Sequence, residues 1–385
     1  MNFKYILPID TKTVSLELIG GKGKSLARMT SAGMSVPSGF YLTTAAYKDF
    51  VEKNHLQETI INLAKPEIVG KTVSFESASR NIQELIKGVE LPDEITNEIQ
   101  KAYDTLDRQN PAVAVRSSAN AEDLPDLSFA GQQDTYLNVN GEEALITAIR
   151  DCWASLWTPR AISYRHQMGI KQDMVAMAVV VQLMVPSDIS GILFTANPVN
   201  GERSEIIINS SFGLGEAVVG GQVTPDTYVV DRKTLNVKES IIGPKAQKTI
   251  SSDKQGTILQ DVSEHERSQS SLSEKSLKEL TSIALNIEQT FEGVPQDIEW
   301  AISDGKLWML QSRPITNLPP QPIKVSWEPT PPAKILARRQ IVENIPDPVC
   351  PLFEELYLTE GLETPAKGQS RKSFFVGGGP MFVTV

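Results

Sequence analysis

Residues 111–139 read PAVAVRSSANAEDLPDLSFAGQQDTYLNV and join a short apolar run to a charged loop and a glycine turn. The run at residues 112–115 follows a proline and is typical of a buried strand, which predicts Arg116 at a strand end. A guanidinium stays protonated at any working pH and offers a planar fork of donors, so it suits a phosphate or a carboxylate. The segment therefore predicts an anion-binding edge of a sheet.

Small and polar residues after the arginine extend this interpretation. Gly131 and Thr135 offer a backbone position without a side chain and a hydroxyl, through which N–H and O–H groups could approach an anion. The alternative is an ordinary loop in which Arg116 pairs with Glu122 or Asp123. These residues alone do not decide between the two.

Length and composition narrow the class of protein. At 385 residues the chain is long enough for two or three domains, each able to bury its own core. Apolar residues at 40% and charged residues at 22% are typical of a globular protein. The net charge of -10 argues against binding to nucleic acid or to an anionic membrane, so an anion site must be built from a few placed cations.

Targeting, cysteine and histidine patterns are uninformative or negative. The opening MNFKYILPIDTKTV lacks the apolar core of a signal peptide, and no run approaches the roughly 18 apolar residues of a membrane span, so we expect a cytoplasmic protein. Cys152 and Cys350 stand in different segments without CxxC spacing, which predicts buried or incidental thiols rather than a disulfide. His55, His166 and His265 lie far apart without a zinc-ligand spacing.

Two glycine-rich segments imitate known nucleotide signatures. Residues 23–25 resemble the end of a Walker loop, but Leu18 stands where the leading glycine is required, so we reject this motif. Residues 212–216 resemble a dinucleotide fingerprint, but Val218 replaces the third glycine. By itself, Lys22 in the first segment predicts only a solvated lysine beside a turn.

The secondary-structure pattern changes near residue 180. Helical periodicity prevails over residues 43–108, whereas residues 176–184, AMAVVVQLM, form a strongly β run whose only polar residue is Gln182. We therefore predict an α+β fold of two lobes, residues 1–180 and 181–317. The cleft between them is the natural ligand site.

Residues 296–313, QDIEWAISDGKLWMLQSR, predict a hairpin around residues 303–305. A three-residue loop closed by Gly305 would pair Asp297 with Gln311, whereas a two-residue turn would put Gln311 on the apolar face. One face would then carry the polar set Asp297, Glu299, Gln311 and Arg313. The core face would carry the apolar set Ile298, Trp300, Ile302, Trp308 and Leu310.

The polar set of the hairpin predicts a metal site. Two carboxylates and an amide oxygen beside an arginine form a hard oxygen site, which suits Mg²⁺ shared with phosphates better than zinc. A metal would also neutralise the repulsion between Asp297 and Glu299. The alternative is a salt-bridged sheet surface.

Several of these segments, in this order, resemble a known family. The resemblance rests on IGGKGKSLARM, VPSGF, AVRSSANAEDLPDLSFAGQQDT, ISGILFTANP, GLGEAVVGGQVTPD, and QDIEWAI followed by LQSRPIT. Together they resemble the N-terminal ATP-binding part of the phosphoenolpyruvate synthase and pyruvate phosphate dikinase family, which includes rifampin phosphotransferase. The resemblance covers residues 14–317 and implies a two-lobed ATP-grasp domain that clamps Mg-ATP.

The resemblance also implies residue roles. Lys22, Arg116 and Arg313 would bind phosphates, Gly131 and Thr135 would lie in the covering loop, and Gln182 would sit at the adenine hinge. Glu299 and Gln311 would ligate magnesium, with Asp297 in support. In the family, ATP phosphorylates a histidine on a separate swivelling domain, which then phosphorylates pyruvate or the drug.

The C-terminal segment and the histidine positions indicate which partner domain the chain would need. Residues 318–345 are proline-rich and predict a linker, and residues 346–385 resemble the truncated start of a further domain. No histidine lies in the glycine- and threonine-rich setting expected of the carrier. We therefore expect a swivelling phosphohistidine domain as partner and pyruvate as acceptor, with rifampin, or a regulatory module without transfer, as alternatives.

Overall fold

The structure is a computed structural model that describes residues 3–69, 72–106, 110–120, 135–316 and 318–320, and three short strands after residue 335. The chain divides into two compact units, Met1–Leu318 and Pro319–Val385. Of the helices in the described part, none is long and apolar enough to cross a membrane.

The first unit alternates helices with short strands. Its strands are β1 (Ile6–Pro8), β2 (Gly39–Leu42), β3 (Glu67–Val69), β4 (Thr72–Ser74), β5 (Val113–Ala119), β6 (Thr135–Val139), β7 (Met177–Leu183), β8 (Ile189–Phe194), β9 (Glu205–Phe212), β10 (Asp226–Asp231), β11 (Val237–Ile241), β12 (Gln247–Ser251), β13 (Thr257–Asp261), β14 (Gln296–Ser303) and β15 (Lys306–Pro314). Its helices are α1 (Leu16–Ser31), α2 (Thr44–Lys53), α3 (Gln57–Leu63), α4 (Glu76–Gly88), α5 (Asp93–Asp104), α6 (Glu142–Ser155), α7 (Pro159–Gln167), α8 (Glu216–Val219), α9 (Glu264–Arg267) and α10 (Glu274–Thr290).

Two antiparallel sheets organise this unit. The first sheet has the order β1-β2-β7-β5-β6, and the second has the order β11-β10-β9-β8-β14-β15. Neighbouring strands pair antiparallel throughout both sheets. Helices packed on antiparallel sheets make the fold α+β, as the sequence predicts.

The first hydrophobic core lies on one face of the first sheet. Helices α2 and α6 pack against β7, and α4 and α5 pack against α6. Phe50, Ile82, Trp153 and Val181 are fully buried among these elements. Each large side chain so buried contributes about 1.5–3 kcal/mol.

A second core joins the two sheets through α1. Ile19 and Met29 of α1 cluster with Tyr41 and Val180 of the first sheet and with Trp300 of the second. Strand β7 is therefore covered on both faces, which explains why its sequence is a continuous apolar run rather than an alternating one. Helix α1 thereby fixes the position of one sheet against the other.

The predicted three-residue loop of the β14–β15 hairpin is wrong. Ser303 pairs with Lys306, so the turn has two residues, Asp304 and Gly305, with φ of 49° and 71°. Positive φ at both central residues is the type I′ turn that matches strand twist, and an Asp-Gly pair favours it. The register then shifts between Glu299 and Trp300.

The register shift is a β-bulge that restores the predicted polar face. Glu299 pairs with Gln311 and Trp300 with Met309, which leaves Leu310 as the extra residue. The polar set therefore shares one face as predicted, but the core assignment of Trp308 and Leu310 is wrong. Leu307 and Met309 are buried in the core, while Trp308 and Leu310 are half-buried.

The end of one strand differs from the prediction. Strand β5 runs through Arg116 to Ala119, so Arg116 lies in mid-strand rather than at a strand end. Strand β7 pairs with β5 from Val113 to Ala119, which satisfies backbone groups along its polar residues, and β6 pairs on the other side as far as Arg116. Strand β7, by contrast, lies within the β run predicted at residues 176–184 and belongs to the first sheet.

The second unit contains a small antiparallel sheet. Its strands β16 (Leu336–Arg338), β17 (Ser373–Phe374) and β18 (Phe382–Thr384) have the order β16-β18-β17. Strand β16 falls within the segment predicted to be a linker.

Candidate functional site

Arg116 links the two sheets at the centre of the site. It projects from β5 of the first sheet and is only 8% exposed. Its Nη2 donates to Glu299 Oε2 at 2.7 Å and to Gln311 Oε1 at 2.6 Å, both in the second sheet. Its Nη1 donates to the Leu310 carbonyl at 2.8 Å.

The bulge in the hairpin explains how these acceptors come together. Glu299 and Gln311 lie directly opposite each other, so their side chains leave the sheet side by side. Leu310 is the unpaired bulge residue, so its carbonyl is available to a donor from outside the hairpin. Both ends of the guanidinium are held by the same short segment of β15.

Asp297 and Arg313 form a second ion pair on the same face. Arg313 donates to Asp297 Oδ2 from Nε at 2.8 Å and from Nη2 at 2.7 Å. Burial raises the pKa of the Asp297 carboxyl, and the nearby Glu299 charge raises it further, while Arg313 lowers it. The raised pKa indicates that Arg313, whose side chain is 48% exposed, only partly compensates the buried charge.

Helix α1 places Lys22 beside the strand that carries Arg116. Lys22 is half-buried, and its Nζ donates to the Ser117 carbonyl at 3.0 Å. Ser118 Oγ accepts from the Gly23 N–H at 3.1 Å and donates to the Ile19 carbonyl at 2.7 Å. Lys22 is therefore more than a solvated lysine beside a turn, because α1 is tied to β5 on both sides of it.

A glycine makes this contact of α1 possible. Gly20 has φ 67° and ψ -179°, a conformation that interrupts α1 and is essentially restricted to glycine. A Cβ at this position would overlap the carbonyl oxygen of Ser118. The close approach of α1 to β5 therefore depends on the missing side chain.

We expect Gly20→Ala to lower the free energy of unfolding by about 3 kcal/mol, from backbone strain of about 1–3 kcal/mol and steric overlap. Gly33→Ala is the matched control, since Gly33 has φ 79° but open space around a Cβ. It should cost about 1 kcal/mol. Equal shifts of the urea midpoint in both variants would contradict the overlap.

Gln182 and Thr135 lie on the same sheet face as Arg116. Arg116 is the cross-strand partner of both Thr135 and Val180, and Gln182 lies two residues beyond Val180 in β7. Gln182 is 3% exposed, and its Nε2 has no hydrogen-bond partner in the described part of the chain. A buried donor without an acceptor is costly, so it fits an acceptor atom supplied by a ligand.

The structure thus brings together most of the residues that sequence singles out. Lys22 contacts the Arg116 strand, Arg116 contacts Glu299 and Gln311, and Asp297 and Arg313 lie on the same hairpin face. Thr135 and Gln182 share the sheet face of Arg116. Gly131, Glu122 and Asp123 lie outside the described residues.

The alternative of a salt-bridged sheet surface is partly realised. Both Arg116–Glu299 and Arg313–Asp297 are ion pairs. Arg116, however, comes from the other sheet and is buried, so the cluster closes a space between sheets rather than covering a single surface.

The cluster fits a magnesium-bound triphosphate. Three cations lie on the elements that meet here and are of a type that binds phosphate oxygens, and the side-chain oxygens of Glu299 and Gln311 are of the kind that Mg²⁺ prefers. The buried Nε2 of Gln182 can pair with an acceptor of a nucleotide base. Sequence gave no signal for the carbonyls of Leu310 and Ser117, since backbone acceptors leave no trace in residue type.

A cleft of about 730 Å³ opens beside Thr135. Strand β6 and the start of α6 form one wall, and Glu216 and residues 255–257 form the other. Asn138 Nδ2 donates to the carbonyls of Ser252 and Gly256 at 2.8 and 2.9 Å, so the tip of the β12–β13 hairpin is tied to the first sheet. The glycine segment at residues 212–216 ends at this cleft.

Known proteins resemble this chain over most of its length. Residues 16–328 match the family described as pyruvate phosphate dikinase, AMP/ATP-binding domain. A probable phosphoenolpyruvate synthase of Methanocaldococcus jannaschii is 41% identical over 82% of this chain and 27% of its own length. The phosphoenolpyruvate synthase of Pyrococcus furiosus is 41% identical over 78% of this chain and 42% of its own length. A rifampicin phosphotransferase of Bacillus cereus is 40% identical over 81% of this chain and 36% of its own length. The chain therefore spans less than half the length of each of these relatives.

Proposed function

This chain belongs to the pyruvate phosphate dikinase AMP/ATP-binding domain family, and we propose that it is the nucleotide-binding part of a phosphotransferase. In this proposal Mg-ATP loses two phosphoryl groups: one passes to a histidine on a separate swivelling domain and the other passes to water, so that AMP and phosphate are released. The phosphohistidine then gives its phosphoryl group to pyruvate, so that ATP, pyruvate and water give phosphoenolpyruvate, AMP and phosphate. The two sheets form an ATP-grasp cleft.

One observation carries the proposal. Arg116 of the first sheet meets Glu299 and Gln311 of the second, so a phosphate-binding cation and two hard oxygen ligands converge from opposite walls. A structural ion pair would not require an amide oxygen at the same guanidinium nitrogen. The same arrangement suits a bound triphosphate, whose oxygens need both cations and a metal.

The residues of this chain would act by positioning and by neutralising charge. Lys22, Arg116 and Arg313 would hold phosphate oxygens and compensate the charge that shifts between them during transfer. Glu299 and Gln311, with Asp297 in support, would hold Mg²⁺. When bound, Mg²⁺ supplies Lewis-acid polarisation of phosphate oxygens. Thr135 and Gly131 would lie over the phosphates, and Gln182 would bind the adenine.

The proposal is tested by mixing the chain with labelled Mg-ATP and a separately expressed carrier domain from a phosphoenolpyruvate synthase. We expect acid-labile label on the carrier histidine together with stoichiometric AMP. Nucleotide binding without label or AMP would instead favour a regulatory module. Adding pyruvate or rifampicin to the labelled carrier then identifies the acceptor.

A further inference from the structure

We propose that Arg116 makes metal binding depend on nucleotide. Its guanidinium holds the two oxygens that would ligate the metal and releases them only when phosphate oxygens replace them. The inference rests on the proposed function and adds an order of binding to it: the nucleotide phosphates engage Arg116 before Glu299 and Gln311 become available to a cation.

Arg116 and a metal ion would compete for the same two oxygens. A single nitrogen, Arg116 Nη2, lies 2.7 Å from Glu299 Oε2 and 2.6 Å from Gln311 Oε1. These are the distances of strong charge-assisted hydrogen bonds. Because one nitrogen contacts both oxygens, a metal bound to the same two atoms would lie beside the guanidinium charge, and the two positive charges repel each other.

Because Arg116 is buried, its ion pair with Glu299 cannot open unless another anion takes the place of the carboxylate. The side chains of Arg116 and Glu299 are 10% and 23% exposed. A guanidinium this well buried is costly when left unpaired. A phosphate oxygen must therefore reach the guanidinium before Glu299 is released, and the released carboxylate can then bind a cation.

The charge of the site favours the nucleotide as the first ligand. The cluster contains the carboxylates Asp297 and Glu299 and the cations Lys22, Arg116 and Arg313, a net charge of +1. A free divalent cation is repelled by such a site, whereas a polyphosphate anion is attracted. Metal-free ATP should therefore bind without metal more readily than metal binds without ATP.

Arg116 also has unused capacity for an anion. Its Nε is buried and has no hydrogen-bond partner among the residues that the structure describes. Its Nη1 bonds only to the neutral Leu310 carbonyl among the contacts described. A phosphate oxygen would satisfy the orphan donor, which favours movement of the guanidinium from the carboxylate to the nucleotide.

The test titrates the full chain with Mn²⁺ alone, followed by electron paramagnetic resonance, and with a fluorescent ATP analogue in EDTA. The wild type should bind the metal-free nucleotide and bind free Mn²⁺ only weakly. Arg116→Gln should bind free Mn²⁺ at least about 10-fold more tightly and metal-free nucleotide at least about 10-fold more weakly. A purely structural role for Arg116 would not move these two affinities in opposite directions.

Arg313→Gln is the matched control. It removes an equal positive charge that contacts the same hairpin face but leaves Arg116 on Glu299 and Gln311. Free Mn²⁺ binding should therefore stay weak. An equal gain in Arg313→Gln and Arg116→Gln would overturn the proposal, because net charge alone would then govern metal binding. The double variant Arg116→Gln/Glu299→Gln should lose the gained Mn²⁺ site.

The wild type alone can also overturn the inference, whether or not Arg116→Gln folds. Wild-type protein that binds free Mn²⁺ as tightly in the absence of nucleotide as in its presence excludes control by Arg116. If the same protein still phosphorylates the carrier histidine, the proposed function stands and only the order of binding fails. Failure to bind any nucleotide would overturn both.

Discussion

Replacing Glu299 by glutamine should slow transfer to the carrier histidine by about 10²–10³-fold, as loss of a group that stabilises developing charge does. The half-saturating Mg²⁺ concentration should rise by about 10–100-fold. Glutamine keeps the size of the side chain and one acceptor oxygen. It removes the negative charge that lies across the hairpin from Gln311 and pairs with Arg116. Labelled phosphohistidine, measured across a Mg²⁺ series, reports both effects.

Glu292→Gln is the matched control for this experiment. Glu292 lies in the loop before β14, its side chain is 85% exposed, and it pairs with Arg28 at 3.3 Å. The same chemical change there should leave the transfer rate and the magnesium requirement unchanged. Wild-type transfer by Glu299→Gln would mean that the charged metal ligand lies elsewhere.

The hairpin shows what alternation in a sequence can and cannot determine. The polar set was placed on one face correctly, although both the turn and the register were wrong. A two-residue turn shifts the cross-strand pairing by one residue relative to the predicted three-residue loop. The bulge at Leu310 shifts the pairing by one more residue in the same direction. Near Glu299 the total shift is therefore two residues, which returns each side chain of β15 to its predicted face. Between the turn and the bulge the pairing is shifted by only one residue, so the side chains of β15 point to the faces opposite to those predicted. This is why Met309 rather than Trp308 enters the core.

Arg116 shows a different limit of sequence analysis. Its residue type and the surrounding motif predict an anion-binding arginine, but its acceptor Gln311 lies 195 residues away. Local pattern predicted a strand end, because the polar run at Arg116 looks like the start of a loop. Long-range pairing with β6 and β7 overrides that local signal. The role of each site residue remains a prediction that the proposed variants test.

The buried ion pair between Asp226 and Lys245 gave no sequence signal at all. Both side chains are 0% exposed. Lys245 Nζ donates to Asp226 and also to the carbonyls of Gly243 at 2.9 Å and Arg267 at 3.0 Å. The carboxylate also accepts from the backbone N–H of Gly243 and from Ser271. The pair therefore ties the start of β10 to the segments before β12 and α10.

Lys245→Met should lower the free energy of unfolding by about 3–5 kcal/mol, because it leaves the Asp226 charge buried without its partner. Methionine nearly preserves the shape of the lysine stem, so the loss reports charge rather than a cavity. Urea unfolding of the wild type and the variant measures it. Since the pair lies in the second sheet, away from the Arg116 contacts, nucleotide affinity at low temperature should change much less than stability.

A double variant separates the charge from the packing. Asp226→Asn/Lys245→Met removes both charges and should cost less than the sum of the single variants, with a coupling of about 2–3 kcal/mol. Lys4→Met provides the exposed control, because Lys4 pairs with Asp49 at 2.7 Å but its side chain is 61% exposed. It should leave the urea midpoint unchanged, since solvent screens such pairs. Additive single effects at Asp226 and Lys245 would show that the two side chains stabilise the fold independently, through their separate hydrogen bonds to the backbone.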